Sequence, residues 1–155
     1  SPAMYRSLVL PRLKKFFAEM RRAGFPASLH QCGNTESVLP EMVASGADIL
    51  ELDTHTSLPA AKEAARGRTT VLGMVDPANV LHRGTPALVE RKSREALETM
   101  APGGGFILGP GCALVPETPE ENVMALMEAA HRYFCPDTCR LRHPSGYPGS
   151  YNLCY

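Results

Sequence analysis

The sequence has no net charge, no long apolar run and no regular cysteine framework, and each absence narrows its function. Sixteen lysines and arginines balance sixteen aspartates and glutamates over 155 residues, so no basic excess is available to hold nucleic acid or an anionic membrane. No apolar stretch approaches the roughly 18 residues that cross a bilayer, and no secretory leader opens the chain. The opening Ser1-Pro2-Ala3 is not a translation start, so the chain is expected to be a fragment or processed piece of a longer protein. Five cysteines, odd in number and irregular in spacing, fit a reducing, cytoplasmic setting better than a disulfide scaffold.

What is present is an alternation of short apolar runs with longer amphipathic ones. A composition of 44% hydrophobic and 21% charged residues is that of an ordinary globular domain with one core. Residues 8–23 read as a helix, with Leu8, Leu13, Phe16, Phe17 and Met20 on one face, Pro11 in its first turn and Gly24 closing it. Strands are predicted at 26–30, 48–53, 69–75 and 105–109. The helices between and after them are predicted from Thr35 to about Ser45, over 58–66, from Thr85 to Met100, and from Thr118 to about Tyr133. Thr35 and Thr118 are read as N-caps. Met42, Met100, Met124 and Met127 are assigned to helix cores. Four strand–helix units after an initial helix predict a parallel α/β sheet with right-handed crossovers, as half of an eight-unit barrel or as a small open sheet. Residues 135–155, rich in Pro, Gly, Ser, Tyr and Arg, read as an irregular tail, disordered or aberrant. Its Cys135, Cys139, His143 and Cys154 match no zinc-binding spacing.

Residues with chemistry fall at strand ends. His30, Cys32, Asp53, Asp76 and Cys112 all end or follow strands, the face that carries function in parallel α/β folds. His30 and Cys32 stand two apart and point the same way. With Cys112 they supply one imidazole and two thiols, a donor set suited to Zn²⁺. Cys112 joins the pair if its strand neighbours the first around a closed or nearly closed sheet. Three ligands with a fourth position open favour a catalytic site, and thiolate-rich coordination suits holding a substrate thiol. The plain alternative is two small packing cysteines and a hydrogen-bonded histidine. Glu51 and Asp53 are candidates for a fourth ligand or for orienting His30, or they are strand-end carboxylates. Asp76 before Pro77 is a turn former or a pocket residue, and Asn34 contacts substrate or stabilises a turn. His55, His82 and His131 are assigned to the surface or to packing.

Five segments in order carry a resemblance: His30-x-Cys32-Gly33-Asn34, Gly73-x-Val75-Asp76-Pro77, Gly84-Thr85-Pro86, Gly104 through Cys112, and Thr118-Pro119-Glu120-Glu121-Asn122. Together they resemble the uroporphyrinogen decarboxylase superfamily, and within it the corrinoid-dependent methyltransferases of the methylcobamide:coenzyme M kind. The resemblance implies the C-terminal half of a (β/α)₈ TIM barrel over residues 1–134. It implies zinc on His30, Cys32 and Cys112, and methyl transfer from a methyl-corrinoid on a partner protein to a small-molecule thiol such as coenzyme M. Asn34, Asp53 and Asp76 are the expected substrate contacts, with Asp53 or Glu51 as a further ligand. The partner is expected because no Asp-x-His-x-x-Gly pattern occurs in the chain. The decarboxylase branch, by the same resemblance, carries histidine where Cys112 stands and lacks the His-x-Cys pair. A metal-free decarboxylase-like lyase and a fragment inactive without its N-terminal half are the alternatives. Met74 departs from the asparagine usual in the family. Half a barrel also leaves two strand edges free for a second copy.

Overall fold

A computed structural model describes residues 1–134; the predicted tail and its Cys135, Cys139, His143 and Cys154 lie outside the described residues. The chain opens with α1 (Pro2–Met4), a π-helical turn (Tyr5–Val9) and α2 (Leu10–Arg22). There follow β1 (Ser28–Gln31), a 3₁₀ turn (Glu36–Val38), α3 (Leu39–Ala44), β2 (Ile49–Leu52) and α4 (Leu58–Ala65). The last units are β3 (Thr70–Val75), a π-helical turn (Pro77–His82), α5 (Pro86–Met100), β4 (Phe106–Pro110) and α6 (Glu120–Phe134). The four strands lie in sequence order and every pairing is parallel. No helix among the described residues is long and apolar enough to cross a membrane.

Three helix starts differ from the sequence expectation, each for a local reason. The first helix begins before Leu8 and runs through Pro11, because the Leu10 N–H reaches back five residues to the Tyr5 carbonyl. That widened turn absorbs a proline that an unbroken α-helix would not. Thr35 does not cap a helix. Its hydroxyl pairs with Thr56 at 2.8 Å, and Pro40 forces a 3₁₀ turn before α3 can begin. α6 begins at Glu120, two residues after Thr118, whose hydroxyl donates to the Val115 carbonyl at 2.8 Å. Thr85 does cap, accepting from Leu88 N–H at 3.3 Å.

Right-handed crossovers between strands that are neighbours in sequence place all the helices on one face of the sheet. Leu50, Leu52 and Val71 are buried there with Met42, Ala61 and Met100, and Leu29 and Phe106 pack against them. A second cluster gathers Val75, Val80, Leu81, Val89 and Leu126. Asn122 ties α6 to this side by donating to the Leu81 and Gly84 carbonyls at 2.8 and 2.9 Å. The opposite face is bare. Ile49, Leu72 and Ile107 alternate with the packed residues and belong to neither cluster, and Ile107 is 44% exposed. Met42 and Met100 are core as expected, but Met124 and Met127 are 45% and 46% exposed. Phe17 is buried whereas its neighbour Phe16 is 53% exposed. Both differences arise at the two ends of the helix layer, where α2 and α6 each have a helical neighbour on one side only.

Alternation fails once, at the end of β3. Gly73, Met74 and Val75 are all buried, because Met74 has a left-handed backbone (φ 83°) that turns its side chain to join Leu52, Val71 and Met100. Gly73 precedes it at φ 116°, where an added Cβ would lie 2.8 Å from the Leu52 carbonyl oxygen and 3.1 Å from that of Pro110. Both obstacles are backbone and cannot swing away. Gly73→Ala is therefore expected to destabilise the fold by about 3 kcal/mol. Urea unfolding checks this, and an unchanged midpoint would show that the strand end yields.

Candidate metal centre

β1 and β4 are the two edges of the sheet, three strand spacings or about 14 Å apart if it were flat. Their continuations nevertheless meet. Cys32 Sγ lies 3.3 Å from Cys112 Sγ, His30 Nε2 lies 2.9 Å from Cys32 Sγ, and Cys112 Sγ lies 3.6 Å from His30 Nε2. The expectation that Cys112 needed a strand adjacent to the first is thus corrected: the sheet curls, and the segment after β4 crosses its mouth. Gly111 makes the crossing. Its N–H donates to the Val75 carbonyl at 2.8 Å, and a Cβ there would stand 2.8 Å from Thr54 N and 2.8 Å from Thr54 Cγ2. Only glycine lets the chain pass over the β2 end and deliver Cys112.

The partner loop is tied down from below. Asp53 Oδ2 accepts from Gly33 N–H at 2.8 Å, next to Cys32. Asp53 Oδ1 accepts from the His55 N–H at 3.1 Å and lies 2.7 Å from His55 Nδ1. Beneath it a buried pair closes the loop: Thr56 Oγ1 accepts from Thr35 N–H at 3.0 Å and donates to the Gly33 carbonyl at 3.4 Å. His30 shares a register row with Glu51, whose Oε2 lies 3.5 Å from His30 Nδ1, so Nε2 is the nitrogen turned to the thiols.

Three donor atoms within 4.8 Å of one another come from His30, Cys32 and Cys112, and both thiols are free. Bonds of about 2.3 Å to sulfur and 2.0–2.1 Å to nitrogen in a tetrahedron set donors about 3.5–3.8 Å apart. The three separations are 2.9, 3.3 and 3.6 Å, so the donor set fits one small ion with a modest spreading. Electrostatics agree. The Cys32 thiol is pushed above its usual pKa by its hydrogen bond to Cys112, then by burial and by the negative charges of Cys112, Asp53 and Glu51. A divalent cation answers that concentration of anionic groups.

The other candidates stand around this centre. Asn34 Oδ1 accepts from Glu36 N–H at 3.0 Å, forming the turn out of β1. Asp76 accepts from Ala78 and Asn79 N–H at 2.8 and 2.9 Å, capping a π-helical turn that periodicity did not reveal. His55 is at the surface as expected, its side chain 74% exposed, yet it is hydrogen-bonded rather than idle. Asp53-x-His55 was the available signal. Thr56 was missed as a site-shaping residue, Thr35 was read only as a cap, and Gly111 was quoted within the motif before Cys112 without a role of its own.

The sequence profile of the family described as uroporphyrinogen decarboxylase (URO-D) matches residues 1–133. The chain is 39% identical over 128 residues to a uroporphyrinogen decarboxylase of Thermus thermophilus, covering 83% of this chain and 36% of that protein. It is 30% identical over 129 residues to the methylcobamide:CoM methyltransferase MtbA of Methanosarcina acetivorans, covering 83% and 37%. A solved methyltransferase from Methanosarcina mazei superposes with a TM-score of 0.77 at 31% identity, covering 86% of this chain and 38% of that one. The chain thus spans little more than a third of the length of these relatives, and its four parallel units form part of a (β/α) barrel.

Burial alone would raise the Asp53 carboxyl, but hydrogen bonds from Gly33 N–H, the His55 ring and His55 N–H outweigh it and lower its pKa to about 2. The unfolded value is about 3.9. A depressed carboxyl stabilises the fold fully above the unfolded value, and that contribution is lost as pH falls from about 4 towards the folded pKa. The thermal midpoint is expected to drop over that window, and to drop less in Asp53→Asn. Parallel acid profiles of the two proteins would count against Asp53 as the tie.

Proposed function

The chain belongs to the uroporphyrinogen decarboxylase (URO-D) family, and we propose that its site serves zinc-dependent methyl transfer from a methyl-corrinoid, carried by a partner protein, to a thiol acceptor such as coenzyme M. The observation that carries this reading is the meeting of one imidazole and two thiols at strand ends 82 residues apart. Zn²⁺ bound there would lower the pKa of an acceptor thiol and keep it nucleophilic at neutral pH.

The chain's own residues would do the rest. His30 presents Nε2, and the Glu51 carboxylate lies 3.5 Å from its other ring nitrogen. Asp53 fixes the loop that carries Cys32 through Gly33, and Gly111 sets the path of Cys112. Asn34, Asp53 and Asp76 stand at the same end of the sheet, and to them we assign the polar contacts with substrate. Of the two anions beside the cluster, Asp53 is already held by Gly33 and His55. Glu51 is the freer candidate for a fourth ligand.

A second reading has an observation of its own. The identity to the Thermus thermophilus decarboxylase, 39%, exceeds the 30% to the methyltransferase, which supports a decarboxylase-like lyase without metal. The donor set argues the other way, since decarboxylation gives no use to two converging thiols. Zinc content of purified, folded chain separates the two. Near one equivalent per chain is expected, lost in both Cys32→Ser and Cys112→Ser, with thiol methylation by methylcobalamin falling at least a hundredfold in each. A folded, zinc-free wild type would sink the methyl-transfer reading and leave the lyase ahead. Zinc bound without any methylation would place the activity in the whole protein rather than in this part of it.

A further inference from the structure

Cys32 and Cys112 are free thiols whose sulfurs stand 3.3 Å apart. A disulfide bond is about 2.05 Å long, and two sulfurs on one tetrahedral zinc ion lie about 3.8 Å apart. The pair therefore sits between two uses. The metal needs the sulfurs to part by about 0.5 Å, and a disulfide needs them to close by about 1.2 Å. Either shift is within the reach of side-chain rotation, since Cys32 is exposed and Cys112 only partly buried. Converging thiols at a metal site are thus also a dithiol, and oxidation and metal compete for the same two atoms.

We propose that Cys32 and Cys112 are a modification site, at which a small hydroperoxide joins them in a reversible disulfide and so switches metal binding off. Hydrogen peroxide transfers one oxygen to one of the two sulfurs, giving a sulfenic acid and a first water. His30 Nε2, 2.9 Å from Cys32 Sγ, is placed to pass the thiol proton to the departing hydroxide. The second thiol then attacks the sulfenic sulfur, the S–S bond forms, and the hydroxyl leaves as a second water. Two thiols have lost two electrons and one peroxide has become two waters. A resolving sulfur already 3.3 Å away reacts within the molecule and outruns a second peroxide, so the pair stops at the disulfide and not at sulfinic acid. Disulfide sulfurs carry no thiolate charge, and of the three donors only His30 Nε2 is left to a metal. Reversal takes two external thiols, which leave joined to each other. The bond itself needs only the two cysteines, whereas the loss of metal rests on the zinc reading of the site.

The test is non-reducing peptide mapping of the full chain before and after hydrogen peroxide, with zinc measured on the same samples. Trypsin leaves each of these cysteines alone in its peptide, 23–62 and 95–132, while the other three cysteines fall in 133–140 and 143–155. Peroxide is expected to join 23–62 to 95–132 in most chains, two hydrogens lighter than their sum, and dithiothreitol to separate them. Bound zinc is expected to fall at least tenfold on oxidation and to return when Zn²⁺ is added after reduction. Separate sulfinic acids at Cys32 and Cys112, or links from them to 133–140 or 143–155, overturn the proposal. A joined pair that keeps its zinc overturns it as well. If the reduced chain carries no zinc, the zinc reading fails on its own account and titration with Co²⁺ decides. A thiolate-to-cobalt absorption present only in the reduced chain supports the switch, and its absence from both forms overturns it.

Discussion

Asp53 is the fixed point of this structure's functional end. Its two oxygens engage the Gly33 N–H of one loop and the N–H and ring of His55 in the next. One carboxylate at the end of β2 therefore sets the positions of the segments on either side of it. Hydrogen bonds to an ionised acceptor are roughly twice as strong as neutral ones, and this one is largely shielded from water. Cys32 hangs from the same loop, and the segment that brings Cys112 runs over Thr54, the residue after Asp53. How the Cys32 loop stands relative to the segment that brings Cys112 depends on where this carboxylate holds the β2 end.

The second constraint is curvature. A parallel sheet with all its helices on one side bends away from them as strand twist accumulates, and the bend turns distance along the sheet into proximity across its mouth. Two glycines permit the close approaches this requires, Gly73 beside the Leu52 carbonyl and Gly111 beside Thr54. Met74 carries a cost that glycine does not, since a left-handed backbone disfavours a side chain by about 1 kcal/mol or more. That cost is offset by burying the thioether against Leu52, Val71 and Met100.

Most of this architecture was legible in the order of the residues. The α/β alternation, the parallel pairing and the placing of His30, Cys32, Asp53, Asp76 and Cys112 at strand ends all follow from local period and turn chemistry. The failures were of two physical kinds. Thr35 and Thr118 have the composition of caps, but Thr35 pairs with Thr56 across the loop and α6 begins two residues after Thr118. Phe16, Met124 and Met127 have the pattern of core residues, but this part of the barrel offers them no neighbour. The meeting of Cys112 with His30 was legible as donor chemistry only. The crossing over Thr54 that achieves it depends on a path no periodicity encodes.

The span of chain between those two donors also bears on how the molecule assembles. Each strand pairs with the next in sequence, so the sheet forms between segments about 20 to 35 residues apart, far closer along the chain than its two edges. The contact between Cys32 and Cys112 bridges 80 residues, and its geometry depends on the placement of every intervening unit. A metal ion captured there would act as a clasp, coupling the stability of the first unit to that of the last.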